Sequence, residues 1–89
     1  MQYTKWSKYR NTLLTPDERA VIEAKVNLIS DIIKARQAKG LSQKQLENAS
    51  SIKQPVIARL EKGKTNPQLE TIIKLLLPLG LKLSIEPIE

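Results

Sequence analysis

Cysteine and histidine are both missing from this chain of 89 residues. Their absence excludes a disulfide framework and the usual zinc sites, and leaves only Asp, Glu, Lys and Tyr for acid–base chemistry. We therefore expect no enzymatic activity, no metal and no cofactor. An apolar signal-peptide core is also lacking, and the longest apolar run, Ile72 to Leu81, is interrupted by Lys74 and Pro78. These absences predict a cytoplasmic protein that does not span a membrane.

Negative charge is scarce as well. Nine Asp and Glu residues face 15 Lys and Arg residues, which gives a net charge of +6. The excess is concentrated between residues 34 and 64, where the only acids are Glu47 and Glu61. A basic surface on a chain long enough for one domain favours an anionic partner, either nucleic acid or a membrane surface.

Capping residues and apolar periodicity predict four helices. A threonine or serine cap followed by helix-favouring residues marks the first two starts, and Pro55 restricts the third helix to a start near Lys53 or Gln54. Glycines mark the ends of the first and third helices. The predicted helices begin at Thr15-Pro16, at Ser42-Gln43, near Lys53, and at Asn66-Pro67; they end at Gly40, before Ser50-Ser51-Ile52, at Gly63, and at Pro78 to Gly80.

Residues 81–86 alternate apolar and polar side chains, a pattern that predicts a short strand. One strand cannot satisfy its own backbone, and the sequence offers no second strand. We expect it to pair with a second copy of the chain through Leu81, Leu83 and Ile85. The sheet edge of a different protein, or an unpaired tail, are the alternatives.

The chain thus divides into an N-terminal aromatic arm (residues 1–15), a helical domain (16–80) and a C-terminal strand and tail (81–89). The predicted class is all-α, with four to five helices and one short strand. Apolar residues of the helical domain are expected to form its core: Ile33, Leu46, Ile52, Ile57, Leu60, Leu69, Ile72 and Leu76.

Two short helices joined by a tight turn, over residues 42–62, have the form of a helix-turn-helix. This motif places its second helix in the major groove of DNA. Leu41-Ser42-Gln43 and Ile57-Ala58-Arg59-Leu60-Glu61-Lys62-Gly63 resemble the corresponding segments of the lambda-repressor-like family. The resemblance implies a repressor-like bundle that binds operator DNA.

Residues at the start and on the outer face of the second motif helix are expected to read bases. Gln can pair with adenine, Arg with guanine, and apolar side chains can contact thymine methyl groups. The predicted base-reading residues are Lys53, Gln54, Pro55, Val56 and Arg59. Residues around the two helix ends are expected to contact phosphates: Ser42, Gln43, Lys44, Lys62 and Lys64. The alternative for each is an ordinary solvated side chain.

The same resemblance implies that Glu61 pairs with Arg36 as part of the scaffold. Two residues depart from the family pattern. Glu47 stands where relatives usually carry Ala, so it must tilt outward or find a partner. Ser51 stands where Gly is usual, because the backbone there requires a positive φ angle.

The segment from Lys53 to Leu69, followed by Leu77-Pro78-Leu79-Gly80-Leu81-Lys82-Leu83, resembles the HigA-type antitoxins. The resemblance implies a dimeric antitoxin that represses its own operon and binds a small RelE/HigB-like toxin that cuts messenger RNA. Aromatic residues spaced by three in the arm could anchor such a partner, so we expect the toxin to contact Tyr3, Trp6, Tyr9, Leu13 and Leu14. Folding of this stripe onto the chain's own helices is the alternative. A stand-alone phage-type repressor without a toxin is the alternative function.

Overall fold

A computed structural model describes residues 14–88 of the chain. Within this range it contains four α-helices and one 3-10 helix, in the order α1 (Pro16–Ala38), α2 (Gln43–Ser50), α3 (Gln54–Glu61), α4 (Leu69–Leu76) and the 3-10 turn Leu77–Leu79. The four predicted helices are confirmed, and their ends differ from the prediction by a few residues at most.

Reciprocal capping bonds start the first two helices. In α1 the Thr15 hydroxyl accepts from the Glu18 backbone N–H at 3.0 Å, and the Glu18 carboxylate accepts from the Thr15 N–H at 2.8 Å. Ser42 and Gln45 repeat this arrangement at the start of α2, at 3.0 and 2.8 Å. Both helix starts were predicted from these residues, and both are confirmed.

Helix α4 begins at Leu69, with Gln68 as its N-cap, and the prediction that Asn66-Pro67 opens it is wrong by two to three residues. The Asn66 side chain does not cap the helix, because its amide oxygen accepts a hydrogen bond from the Lys25 ammonium group of α1. This bond holds the loop before α4 against the middle of α1.

The core contains residues from every helix: Ile29, Ile32, Leu46, Ile57, Leu60, Ile72, Leu75, Leu76 and Leu79. Ile33 and Ile52, which were predicted to be core, are partly buried against it. Leu69 was predicted to be core and is 65% exposed. It shares one side of α4 with Ile73 and Leu77, at a spacing of four residues, and this side faces solvent.

The predicted C-terminal strand is not formed: residues 81–88 adopt no regular structure. A strand needs hydrogen bonds from a neighbouring strand, and residues 14–80 provide none. Leu81 and Leu83 are 39% and 41% exposed and border a shallow groove with Leu28 and Leu76, whereas Ile85 is 99% exposed. The three residues predicted to form one apolar face therefore have different surroundings.

Candidate nucleic-acid interface

The turn between α2 and α3 is fixed by its own polar groups. Ser51 adopts a φ of 67°, which confirms the positive φ expected at this position. The neighbouring Ser50 hydroxyl donates to the Leu46 carbonyl at 2.7 Å and accepts from the Ile52 N–H at 3.1 Å. Ser50 is buried, so these bonds join the last turn of α2 to the turn that follows it in a site screened from water.

An ion pair between α1 and the end of α3 holds the motif to the rest of the bundle. Arg36 donates from Nε and Nη2 to the two carboxylate oxygens of Glu61, at 2.8 and 3.0 Å, and from Nη1 to the Leu41 carbonyl at 2.8 Å. The two side chains are only 13% and 8% exposed. The predicted scaffold pair is therefore confirmed, and its two parallel bonds make it directionally specific.

Two glutamine amides extend this ion pair to the start of α3. Gln43 donates to Glu61 Oε1 at 2.9 Å, and its own oxygen accepts from Gln54 Nε2 at 2.6 Å. Each amide nitrogen carries two hydrogens, so Gln54 keeps one N–H and its Oε1 for another partner. That remaining donor and acceptor match the N7 and N6 groups that adenine presents in the major groove.

Glu47 has a hydrogen-bond partner that the sequence did not predict, a backbone N–H group of α3. Its Oε1 accepts from the backbone N–H of Gln54 at 2.9 Å and lies 3.4 Å from Lys44 Nζ. The Gln54 N–H is the main reason that the pKa of Glu47 is lowered, with smaller contributions from the Lys44 and Lys53 charges. The carboxylate is therefore ionised at neutral pH.

The five predicted base-reading residues lie at the N-cap and in the first two turns of α3. Lys53, Pro55 and Arg59 are exposed, whereas Gln54 and Val56 are half-buried. Gln54 thus does not point freely outward as predicted, because Gln43 holds its amide. The start of α3 thus presents two exposed cations, Lys53 and Arg59, and one hydrogen-bonded amide, that of Gln54.

The predicted phosphate-contacting residues lie at both edges of this face. Ser42 and Lys44 are exposed at the start of α2, and Lys62 and Lys64 are exposed after the end of α3. Gln43 is half-buried, and its side chain belongs mainly to the network with Glu61 and Gln54. Its backbone N–H lies in the first turn of α2, where helix N–H groups have no intrahelical partner.

Sequence reasoning missed the linking role of Gln43 and the contact between Glu47 and Gln54. Gln43 and Gln54 are 11 positions apart and Glu47 and Gln54 are 7 positions apart, so neither contact follows from spacing along one helix. The available signal was a glutamine at the first position of both motif helices.

The remaining predicted sites are only partly described. Tyr3, Trp6, Tyr9 and Leu13, expected to contact a toxin, lie outside residues 14–88, and Leu14 is half-buried beside the Thr15 cap. The predicted dimer residues Leu81, Leu83 and Ile85 lie in the C-terminal segment after the 3-10 turn. Among the described helices, none has the length and apolarity to cross a membrane.

Comparison with known proteins places this geometry in a family. A helix-turn-helix family model matches residues 32–85. An uncharacterised helix-turn-helix-type transcriptional regulator from Haemophilus influenzae is 51% identical over 83 residues, covering 93% of this chain and 85% of the relative. The chain therefore belongs to the helix-turn-helix family of transcriptional regulators.

A solved structure gives a further likeness. A chain of a toxin-antitoxin module from Streptococcus pneumoniae is 45% identical and superposes with a TM-score of 0.73. The match covers 94% of this chain and 92% of that one. At this identity and coverage, the two chains share their architecture over nearly their whole length.

Proposed function

We propose that this protein is an antitoxin that represses its own operon as a homodimer and binds a RelE/HigB-like toxin. The observation that supports DNA reading most directly is the network that fixes Gln54 at the start of α3. It leaves one amide donor and one acceptor of Gln54 free within a face carrying exposed Lys and Arg side chains.

In this proposal α3 lies in the major groove. Gln54 pairs with an adenine through its free N–H and Oε1, and Arg59, in the second turn of the helix, pairs with a guanine. Lys53 reaches a base or phosphate at the helix entrance, and Pro55 and Val56 contact thymine methyl groups.

Phosphate contacts flank the bases on both sides. The N-terminus of α2 offers its free backbone N–H groups together with Ser42, Gln43 and Lys44, and helix N-termini favour anions. Lys62 and Lys64 contact the phosphates on the other side of α3. These contacts orient the protein without carrying sequence information.

We further propose that the dimer forms through the C-terminal segment, with Leu81, Leu83 and Ile85 at its centre. Within residues 14–88, seven of the ten exposed large apolar residues lie between residues 69 and 88. Two lysines (Lys74, Lys82) and two glutamates (Glu70, Glu86) accompany them, so this surface is neutral. Neutrality suits a two-fold interface, which brings a surface against its own copy.

The variants Arg59→Ala and Lys64→Ala test the DNA proposal. Arg59→Ala should cost about 1–3 kcal/mol in operator binding and relax the preference at one base position, whereas Lys64→Ala should weaken binding to all sequences alike. Selection of sites from a randomised DNA pool by each variant measures both effects. An unchanged base preference with Arg59→Ala would reduce Arg59 to a phosphate contact.

The toxin proposal is supported by the likeness to a chain of a toxin-antitoxin module. It is also supported by Val21, Ile22 and Val26, which are 67%, 41% and 57% exposed on the first half of α1. In the sequence these residues follow the segment that carries Tyr3, Trp6 and Tyr9, and on α1 they offer exposed apolar side chains to a partner.

A tagged chain purified from its native cells tests this half of the proposal. A small co-purifying protein that blocks translation when freed would support it, and Trp6→Ala should then weaken that complex. Recovery of the chain's own dimer alone, with DNA, would favour the stand-alone repressor.

A further inference from the structure

The start of α3 is capped differently from the starts of α1 and α2. Those two helices carry their own capping side chains, whereas Lys53 at the N-cap of α3 makes no side-chain cap bond. The first backbone N–H of α3, from Gln54, instead donates to the carboxylate of Glu47 at 2.9 Å. The cap of α3, the helix that we propose to enter the major groove, is thus supplied by α2.

Gln54 is consequently fixed at two points by α2. Glu47 holds its backbone N–H, and Gln43 holds its side-chain amide at 2.6 Å. A bidentate contact to a base depends on the position of both the Gln54 backbone and its amide. Loss of either restraint would therefore weaken base reading more than it weakens attachment to phosphates.

The Glu47 carboxylate also places a negative charge within a basic surface. Its side chain is 16% exposed, and Lys44 Nζ lies 3.4 Å away. The N-terminus of a helix attracts anions, and here a carboxylate already occupies that position in α3. A DNA phosphate approaching the same point would be repelled, whatever the sequence.

We propose that Glu47 is a positioning residue that raises the ratio of operator affinity to nonspecific DNA affinity. It does so by holding Gln54 in place for base reading and by opposing phosphate binding at the start of α3. This inference rests on the proposed DNA-binding function.

Three substitutions separate the two effects. Glu47→Gln keeps an acceptor for the Gln54 N–H and removes the charge; Glu47→Asp keeps the charge but is too short by one methylene group to reach; Glu47→Ala removes both. Glu23→Gln is the matched control, because Glu23 is an exposed carboxylate on α1, outside the two motif helices and outside the proposed dimer surface. The probes are the duplex that the wild-type chain selects from a randomised pool and a shuffled version of that duplex.

Glu47→Gln should bind the shuffled duplex more tightly than Glu23→Gln does. Its salt dependence should be steeper by up to about one unit of slope, since one further phosphate contact becomes available. Glu47→Asp should keep the wild-type salt dependence. Its ratio of selected to shuffled affinity should fall about five-fold, which is the effect expected when a helix loses its N-cap hydrogen bond. The ratio of selected to shuffled affinity should fall further for Glu47→Ala than for Glu47→Gln.

Equal ratios of selected to shuffled affinity for wild type and Glu47→Asp would overturn the positioning role. Equal shuffled-DNA affinity for Glu47→Gln and Glu23→Gln would overturn the charge role. If the wild-type chain itself selects no sequence, the proposed DNA-binding function fails; a wild type that selects a sequence, with variants that match it, overturns only the role of Glu47. Because Glu47→Asp and Glu47→Gln are conservative, the comparison stands even if Glu47→Ala fails to fold.

Discussion

Ser51 and Gly63 occupy the same region of backbone conformation, with φ angles of 67° and 71°. A side chain in this left-handed region costs about 1–2 kcal/mol, and glycine avoids that cost but loses more chain entropy on folding. We expect Ser51→Gly to stabilise the protein by about 0.5 kcal/mol, the net of these two effects. Urea denaturation measures the change, and a loss of stability would show that the Ser51 side chain makes a favourable contact.

Gly63→Ala is the converse substitution. A Cβ atom at this position would meet no other atom within 4 Å, so only backbone strain opposes it. The expected loss is about 1 kcal/mol in the free energy of unfolding. A loss of several kcal/mol would indicate a steric clash instead, and no change would show that the turn after α3 readily adopts another conformation.

The Arg36–Glu61 pair should be the most sensitive polar contact of the domain. Arg36→Ala leaves the Glu61 carboxylate at 8% exposure without its cation, and breaking such a pair costs about 3–5 kcal/mol. Lys74→Ala, which breaks an exposed pair with Glu70 on α4, should cost at most about 0.5 kcal/mol. Denaturant titration of both variants gives the comparison, and equal losses would contradict a scaffold role for Arg36.

At the scale of elements, α3 is held from both neighbouring helices. Arg36 of α1 binds its last residue, and Gln43 and Glu47 of α2 bind its first. Helix α3 is only eight residues long, and isolated helices of that length are not stable in water. Its geometry therefore depends on these contacts as well as on burial of Ile57 and Leu60.

The Glu47 cap should make this element sensitive to acid. The pKa of Glu47 is lowered from its ordinary value of 4.5 in the folded protein. The ionised carboxylate therefore stabilises the fold at pH values above 4.5, and this stabilisation is lost as the pH falls through the lowered pKa of the folded state. As the pH falls from 6 to about 3, the wild type should therefore lose stability relative to Glu47→Gln. Thermal melts across this range measure it; a constant difference would show that the Gln54 N–H does not favour the charged form.

Local signals in the sequence predicted the helices well, because caps such as Thr15 with Glu18 and Ser42 with Gln45 act over three residues. The Arg36–Glu61 pair followed from the family resemblance. The links from Gln54 to Gln43 and Glu47 were missed because they depend on how two helices pack. The strand at 81–86 was wrong for the single chain because its alternating pattern says nothing about whether a pairing partner is present.

At the scale of the whole molecule, the exposed large apolar residues among residues 14–88 fall in two stretches of the sequence. Val21, Ile22 and Val26 lie on the first half of α1, and the others lie between Leu69 and Ile88. Helices α2 and α3 contribute none of them. The side that we propose to face DNA therefore carries no exposed large apolar residue from α2 or α3, and the exposed apolar residues proposed to contact protein partners lie in α1 and in residues 69–88.

Ile85→Glu should weaken the proposed dimer without affecting the monomer fold, since Ile85 is 99% exposed. In a two-fold pair each introduced carboxylate would lie near its own copy, and like charges at an interface should raise the dissociation constant at least about tenfold. Ile88→Glu is the control: Ile88 is 96% exposed but falls outside the alternation of Leu81, Leu83 and Ile85. Sedimentation equilibrium distinguishes them, and equal effects would place the dimer interface elsewhere.

The most direct measurement is the affinity of the purified chain for DNA from upstream of its own gene, compared with a shuffled duplex of the same length and composition at one salt concentration. We predict binding at least about a thousandfold tighter to the upstream DNA, with protection of two symmetric half-sites about 34 Å apart. Equal affinity for the two duplexes would contradict operator reading by α3.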